Sequence, residues 1–471
     1  MPSPTPTHSS DPGNGRRPGA PTLPNLPGPP SAVRRTSYGP TSPEVGARGA
    51  HTRRRIIDAA LSLFDEHGFH HTSVEAIARA AGVSRATLYQ YFPGKDQIFL
   101  ELMDECALAL MRVARRIGEL GPTEIGFDNL NWWLGEWSWV FDKYRTMFVQ
   151  WSLVASSDAA VRPGVIHFVE GYNHRMAARL KAADVSGVDP MSAAVAMTAV
   201  VHRLHLFRHT DRVYEAESQE LTQSLSVFLQ LVLFPHTPSE VLLPFLSPVT
   251  PYTPHVPPLP ECEGLSLRER VCGLSPRAVT TVGRLVDAAA QQFAAKGCHR
   301  TSVDDIVAAA GFARGTFYKY FHEKHDLLRT LCVEATAATV ELAGRLRRVD
   351  VFDDGALRLW LRDFVRFLDH YRGSLDVWTE RLADDDHVIV ALGAHAQAVL
   401  DRALLDVLTC VRRDYPFDPL AGTLLFRALL TRVPGAMREE TDVPMEEEQI
   451  LDLLVFSIRR GFLSHLADPL I

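Results

Sequence analysis

An arginine, a threonine, two tyrosines and a lysine recur in one fixed order at two places in this 471-residue chain. Residues 82–92 read GVSRATLYQYF with Lys95 just beyond, and residues 311–321 read GFARGTFYKYF with Lys324 just beyond. These side chains suit a polyanion with stacked bases. A guanidinium such as that of Arg85 or Arg314 can fork onto a guanine edge, and Thr87 or Thr316 can meet a thymine methyl or a phosphate. Tyrosine hydroxyls and lysine ammonium groups suit phosphate oxygens. No nucleophile–base pairing, Walker loop or dinucleotide fingerprint accompanies them, so neither an enzyme nor a bound cofactor is expected.

Holding such residues outward requires a short helix with a buried back. Leu88 and Phe92, four apart, face inward and leave Arg85, Thr87, Tyr89, Gln90 and Tyr91 largely outside. Ser84 can cap this helix, and Gly82 supplies the left-handed residue of the turn before it. Upstream, Ile56, Ile57, Ala60, Leu61 and Phe64 form a helical stripe closed by Gly68. Thr72 and Ser73 can each cap the helix between, Thr72 with Glu75 fits a capping box, and Val74, Ile77 and Ala81 form its inner face. Two short helices joined by a glycine turn, with a polar and aromatic outer face, predict helix-turn-helix geometry.

The two copies align at a constant offset of 229 without gaps, from Arg55/Arg284 through Phe64/Phe293, Thr72/Thr301, Ser73/Ser302 and Gly82/Gly311 to Lys95/Lys324. Outside these windows the halves look unrelated, so the chain reads as a duplicated module with divergent attachments. Residues 1–50 are rich in Pro, Gly, Ser and Thr and hold Arg16, Arg17, Arg34, Arg35 and Arg48 against Asp11 and Glu44. They are expected to form a disordered basic tail. Nine prolines between 235 and 260 mark a semi-rigid linker, taken as 235–276. The expected units are heads at 51–104 and 277–332, each followed by a helical body, at 105–234 and 333–471.

Both strings resemble the N-terminal DNA-binding domain of the TetR family of bacterial transcriptional regulators, over about 50 residues in each half. The resemblance implies an all-α fold: two units, each a three-helix head on a helical body that binds an effector and pairs with another body. It implies that Ser73, Arg85, Ala86, Thr87, Tyr89, Gln90, Tyr91 and Lys95 face the operator, with Thr72 beside them. Thr301, Ser302, Arg314, Gly315, Thr316, Tyr318, Lys319, Tyr320 and Lys324 do so in the second copy. Members of the family usually carry one head per chain and pair two chains. Two joined heads imply a single-chain pseudo-dimer on double-stranded DNA with two similar half-sites, with further self-association left open. Ala313 in place of Ser84, and Gly315 in place of Ala86, should weaken the second recognition helix.

A net charge of −7 argues at first against a nucleic-acid partner. Charge counts locally, however: residues 51–99 hold six Arg/Lys against five Asp/Glu, and 277–328 hold seven against five. No apolar run approaches the roughly 18 residues that span a bilayer, and no secretory signal is expected. Six scattered cysteines without a CxxC pair read as reduced thiols, so a cytoplasmic protein is expected. Residues 129–151 carry five of the seven tryptophans. Trp132, Trp133, Trp137, Phe148 and Trp151 could line a cavity for an apolar or lipid-like effector, or fill a helical core. By resemblance, 191–209, 218–234, 418–433 and 446–463 supply a four-helix pairing interface. His202, His205 and His209 are spaced for a metal, but no partner set completes one, and ADDDH (383–387) reads as a solvated loop, so no metal is expected. The leading reading is a repressor released by an effector. The alternatives are a DNA-architectural protein that senses nothing and a ligand-binding protein with a vestigial second head.

Overall fold

The computed structural model describes residues 47–149, 162–210, 218–245, 252–298, 300–379, 386–411, 418–441 and 443–464. Most of the predicted N-terminal tail, Trp151 and positions 383–385 lie outside the described residues. The described residues form helices and turns, with no strand among them. The first half runs α1 (Ala47–His71), α2 (Val74–Ala80), α3 (Arg85–Tyr91), α4 (Lys95–Arg116), α5 (Glu124–Lys143), α6 (Arg162–Ala182), α7 (Pro190–Thr210) and α8 (Ser218–Leu233). The second repeats the order: α9 (Pro276–Lys296), α10 (Val303–Ala310), α11 (Arg314–Phe317), α12 (Lys324–Leu346), α13 (Asp354–Thr379), α14 (His387–Cys410), α15 (Pro419–Glu439) and α16 (Glu447–Ile458). Each of these eight first-half helices thus has its counterpart in the second half, with the short helices Ser239–Leu242 and Leu267–Val271 lying between the two sets.

The apolar stripes do what their spacing predicts. Ile56, Ile57, Ala60 and Phe64 of α1 are buried against Ile77 of α2 and Leu88 of α3. The helix α4 joins head to body, with Ile98, Phe99 and Leu102 buried near one end and Leu110, Val113 and Ala114 near the other. The core of the first head continues through both bodies as one buried cluster, whereas the second head forms a separate cluster that takes in Val377, Ile389 and Leu392 of its own body. The described parts of the linker pack against the bodies. Leu242 is fully buried, and Phe245 packs edge-on to Phe127 of the first body at 4.8 Å. Further on, His395 Nδ1 of α14 lies 2.7 Å from the Pro257 carbonyl.

Across the middle of the molecule α7 lies along α15, and α8 meets the turn that ends α16. Phe462 sits between Phe228 of the first half and Phe426 of the second, 4.7 Å from each ring. That approach needs Gly461, where a Cβ would come within 2.2 Å of the Phe228 ring. Arg460 Nη1 donates to the carbonyls of Ser186 and Val232, at 3.1 and 3.2 Å. Arg427, 2% exposed, pairs with the fully buried Asp401 at 3.3 Å while lying 3.9 Å over the Phe207 ring of the first half.

The structure corrects one reading of apolar length. Helix α14 is long and apolar enough, by length and composition, to cross a membrane, with a mean hydropathy of 1.5 over its most apolar window. Continuous apolar runs miss it because His395, Asp401, Arg402 and Asp406 interrupt it. Its apolar side chains, among them Ile389, Leu400, Ala403 and Leu404, are buried in the second unit between α12 and α15. It is placed as a core helix.

Candidate nucleic-acid interface

Each head is held by contacts that the sequence placed but did not explain. Gly82 and Gly311 take left-handed backbone, φ 64° and 69°, as the turn requires. Arg55 of α1 donates to the Ala81 carbonyl, and its counterpart Arg284 donates to Ala310 at 2.7 Å. These arginines pin the turn from behind. Their only signal in the sequence is that both occur at the same place in the repeat.

Thr72 and Thr301 are corrected. Both are buried, and both hydroxyls donate to carbonyls of the preceding helix end, Thr72 to Leu63 and Gly68, Thr301 to Gln292 and Gly297. They tie α1 to α2 and α9 to α10 and offer nothing to the outer face. The Thr72–Glu75 capping box is therefore not formed. Ser73 caps α2 instead, accepting from Ala76 N at 3.1 Å, and Ser302 caps α10 with a box completed by Asp305. Lys95 and Lys324 also turn inward. Lys95 Nζ donates to the Phe69 and Thr72 carbonyls at 2.7 and 2.9 Å and lies over the Phe69 ring, and Lys324 Nζ donates to Cys298 at 2.6 Å. Partial burial lowers the Lys95 pKa from the usual lysine range.

What remains outside is a compact face. Arg85, Ala86, Tyr89 and Gln90 are exposed, with Thr87 and Tyr91 half-buried. Arg314, Gly315, Tyr318 and Lys319 are exposed in the second head, with Thr316 and Tyr320 half-buried. Ser73 and Ser302 are exposed at the edges. Both arginines are held the same way. Arg85 pairs with Glu75 of α2 at 2.6 Å and donates to the Tyr89 hydroxyl at 3.3 Å. Arg314 pairs with Asp304 of α10 at 2.9 Å and donates to Tyr318 at 3.4 Å. Glu75 and Asp304 stand 229 apart, so the restraint is part of the repeat.

The recognition helices differ as their caps predict. Ser84 accepts from Thr87 N at 3.0 Å, and α3 runs for seven residues. Ala313 caps nothing, and α11 is helical for four residues before the chain tightens into a turn at Tyr318.

In the first body the aromatic run divides. Trp133 is fully buried in the core, Trp132 is half-buried with Arg116 5.4 Å over its ring, and Trp137 and Phe148 line a cavity of about 30 Å³. Phe168, Tyr172, Asn173 and His202 line it too, with Arg432 and Glu440 of the second half at its edge. Burial, and then the guanidinium groups of Arg432 and Arg203, push the His202 pKa down to about 3. His205 packs 4.9 Å from Trp137 with Nδ1 2.8 Å from the Val201 carbonyl, and the side chain of His209 lies outside the described residues. Among the described residues no group of three or more potential metal ligands converges.

A sequence model of the family described as "Bacterial regulatory proteins, tetR family" matches residues 56–102 and 285–331. A protein of Mycobacterium tuberculosis named as a regulator of mycofactocin biosynthesis is 46% identical over 59 residues, 12% of this chain and 30% of that protein. The A-factor receptor protein of Streptomyces griseus is 41% identical over 59 residues, 12% of this chain and 21% of the receptor. A solved tetR-family regulator from Marinobacter aquaeolei shares 18% identity over 41% of this chain and 97% of its own, with a TM-score of 0.35. The chain spans less than a third of the curated relatives it matches. Each head thus matches the tetR-family model, and this one chain carries the match twice.

Proposed function

We propose that this protein is a DNA-binding transcriptional regulator, in the simplest case a repressor, whose two heads grip two similar half-sites as a single-chain pseudo-dimer. The observation that carries the reading is the pair of faces with exposed Arg and Tyr, Arg85 with Tyr89 and Arg314 with Tyr318, each backed by its own packed helix-turn-helix. The operator face comprises Ser73, Arg85, Ala86, Thr87, Tyr89, Gln90 and Tyr91, together with Ser302, Arg314, Gly315, Thr316, Tyr318, Lys319 and Tyr320. Lys95 and Lys324 support it from behind. The packing of α7 and α8 against α15 and α16 supports pairing within the chain, because the faces that would dimerise are covered by one another. Two heads on one chain also raise the effective concentration of the second once the first is bound. Effector sensing is assigned to the first body, where the cavity lies. One relative's name, the A-factor receptor protein, is consistent with a ligand-responsive member.

Footprinting on the DNA upstream of the protein's own gene, with the mass of the bound complex, tests the reading. One chain protecting two half-sites supports it, and no protection overturns it. The short α11 favours a second reading, in which the second head contributes little. Replacing Tyr318 and Arg314 by alanine then leaves operator affinity unchanged.

A further inference from the structure

The cavity of the first body holds an imbalance that the free protein does not resolve. Asn173 is 1% exposed, and neither atom of its amide has a hydrogen-bond partner among the described residues. Tyr172 is 3% exposed, and the indole N–H groups of Trp133 and Trp137 stand near its hydroxyl without reaching hydrogen-bond geometry. The hydroxyl of Thr198, on the same wall, is likewise unmatched among the described residues. Buried polar groups in folded proteins are almost always paired, and leaving one unpaired is costly. In the second body the buried Trp360 follows that rule, donating to the Leu342 carbonyl at 2.9 Å. Unmatched donors and acceptors lining an apolar cavity mark a place for a ligand that brings the missing partners.

The chemistry of the walls narrows that ligand. The interior polar groups are an amide, hydroxyls and an imidazole that stays neutral. The charges at the edge, Arg432 and Glu440, already answer each other in an ion pair. A buried carboxylate or ammonium on the ligand would find no interior counter-charge. Size settles how it enters. About 30 Å³ is the volume of a water molecule in the liquid, whereas ligand pockets run to roughly 300–1,000 Å³, so a wall must move. Leu110, Trp137 and Ala199 are buried core. Arg432 and Glu440 keep 18% and 17% of their side-chain surface and are the part of the wall that can swing into solvent.

We propose that the first body binds a neutral, mainly apolar effector carrying one carbonyl, hydroxyl or amide group, and that its entry parts the Arg432–Glu440 pair of the second half. The inference rests on the effector-responsive reading above and adds both the ligand class and the route of the signal. Arg432 lies on α15, which packs along α7, and α7 carries Thr198 and His202 of the cavity wall. A ligand in one half would therefore disturb the helix that holds the two halves together.

The full chain is titrated with four ten-carbon probes, 2-decanone, 1-decanol, decanoate and decane, each kept monomeric in solution. Tryptophan fluorescence reports binding, and hydrogen exchange is followed over residues 432–440. Expected are saturable quenching by the ketone or the alcohol, about tenfold tighter than by decane, and faster exchange at 432–440. Asn173→Leu should remove the preference of the ketone and alcohol over decane while raising the melting temperature, because an unmatched amide is lost. Tightest binding by decanoate, no saturable binding by either neutral polar probe, exchange changes confined to the first body, or a lowered melting temperature in Asn173→Leu would each overturn the proposal. None of these readouts involves DNA, so failure of operator binding is distinguished from failure of this inference.

Discussion

At the scale of single residues, the free protein holds each reading arginine on an acidic neighbour one helix back. On the proposed function, operator binding would trade Glu75 for DNA at Arg85, and Asp304 for DNA at Arg314. Arg85→Ala should weaken operator binding on the order of tenfold and relax base preference at one position, measured by fluorescence anisotropy on operator variants. Glu75→Gln should move affinity the other way by a few-fold, since the competing carboxylate is gone. Lys95 separates two roles. A lysine that only touches phosphate would leave thermal stability alone and reduce the salt slope of binding when replaced. With its ammonium on the Phe69 and Thr72 carbonyls, Lys95→Met should instead lower the melting temperature of the first head. His202 carries a pH signature. The unfolded chain takes up its proton near pH 6.5, while the folded protein refuses it until about 3. The unfolded state therefore binds more protons in that window, and stability falls as pH drops through it, with a slope approaching about 1.4 kcal/mol per pH unit. Urea titrations at pH 7 and pH 5 should show that loss, and His202→Gln should flatten it.

At the scale of elements, the head helices could be read almost completely before any coordinates, and the bodies only in outline. The heads announce themselves because local signals agree: Phe64 and Leu88 fall on helical stripes, Ser84 caps, and Gly82 turns. The same signals, read in the second copy, give the shorter α11 its cause. Ala313→Ser with Gly315→Ala should lengthen that helix and stabilise the second head by about 1–2 kcal/mol, seen in its unfolding transition and in stronger protection of one half-site. Gly315 accepts the change because nothing lies within 4 Å of a Cβ built there. What local reading missed was direction. Thr72 and Lys95 look like surface polar residues in the sequence, yet both spend their hydrogen bonds on the backbone of α1 and its junction with α2. The cavity edge was illegible for a different reason. Arg432 and Glu440 meet Trp137 only because two bodies fold against each other across some three hundred residues of chain.

At the scale of the whole molecule, the covered interface decides behaviour. Gly461→Val would drive a side chain into Phe228 and Val232, so the bundle should loosen by about 1–3 kcal/mol and the scattering radius increase. Arg427→Ala should cost more, about 3–5 kcal/mol, because it removes the guanidinium that pairs with the fully buried Asp401.

The same bundle changes how the protein responds to scarcity. When two separate chains must meet before they can read a palindrome, dilution below their association constant silences them, and occupancy climbs with the square of their number. Here Phe228 and Phe462 belong to one polypeptide, so on the proposed function a single translated copy would already carry both readers. Its occupancy should rise in simple proportion to copy number, with no threshold, and a mutation in one reader can drift toward a new half-site while the other keeps its place.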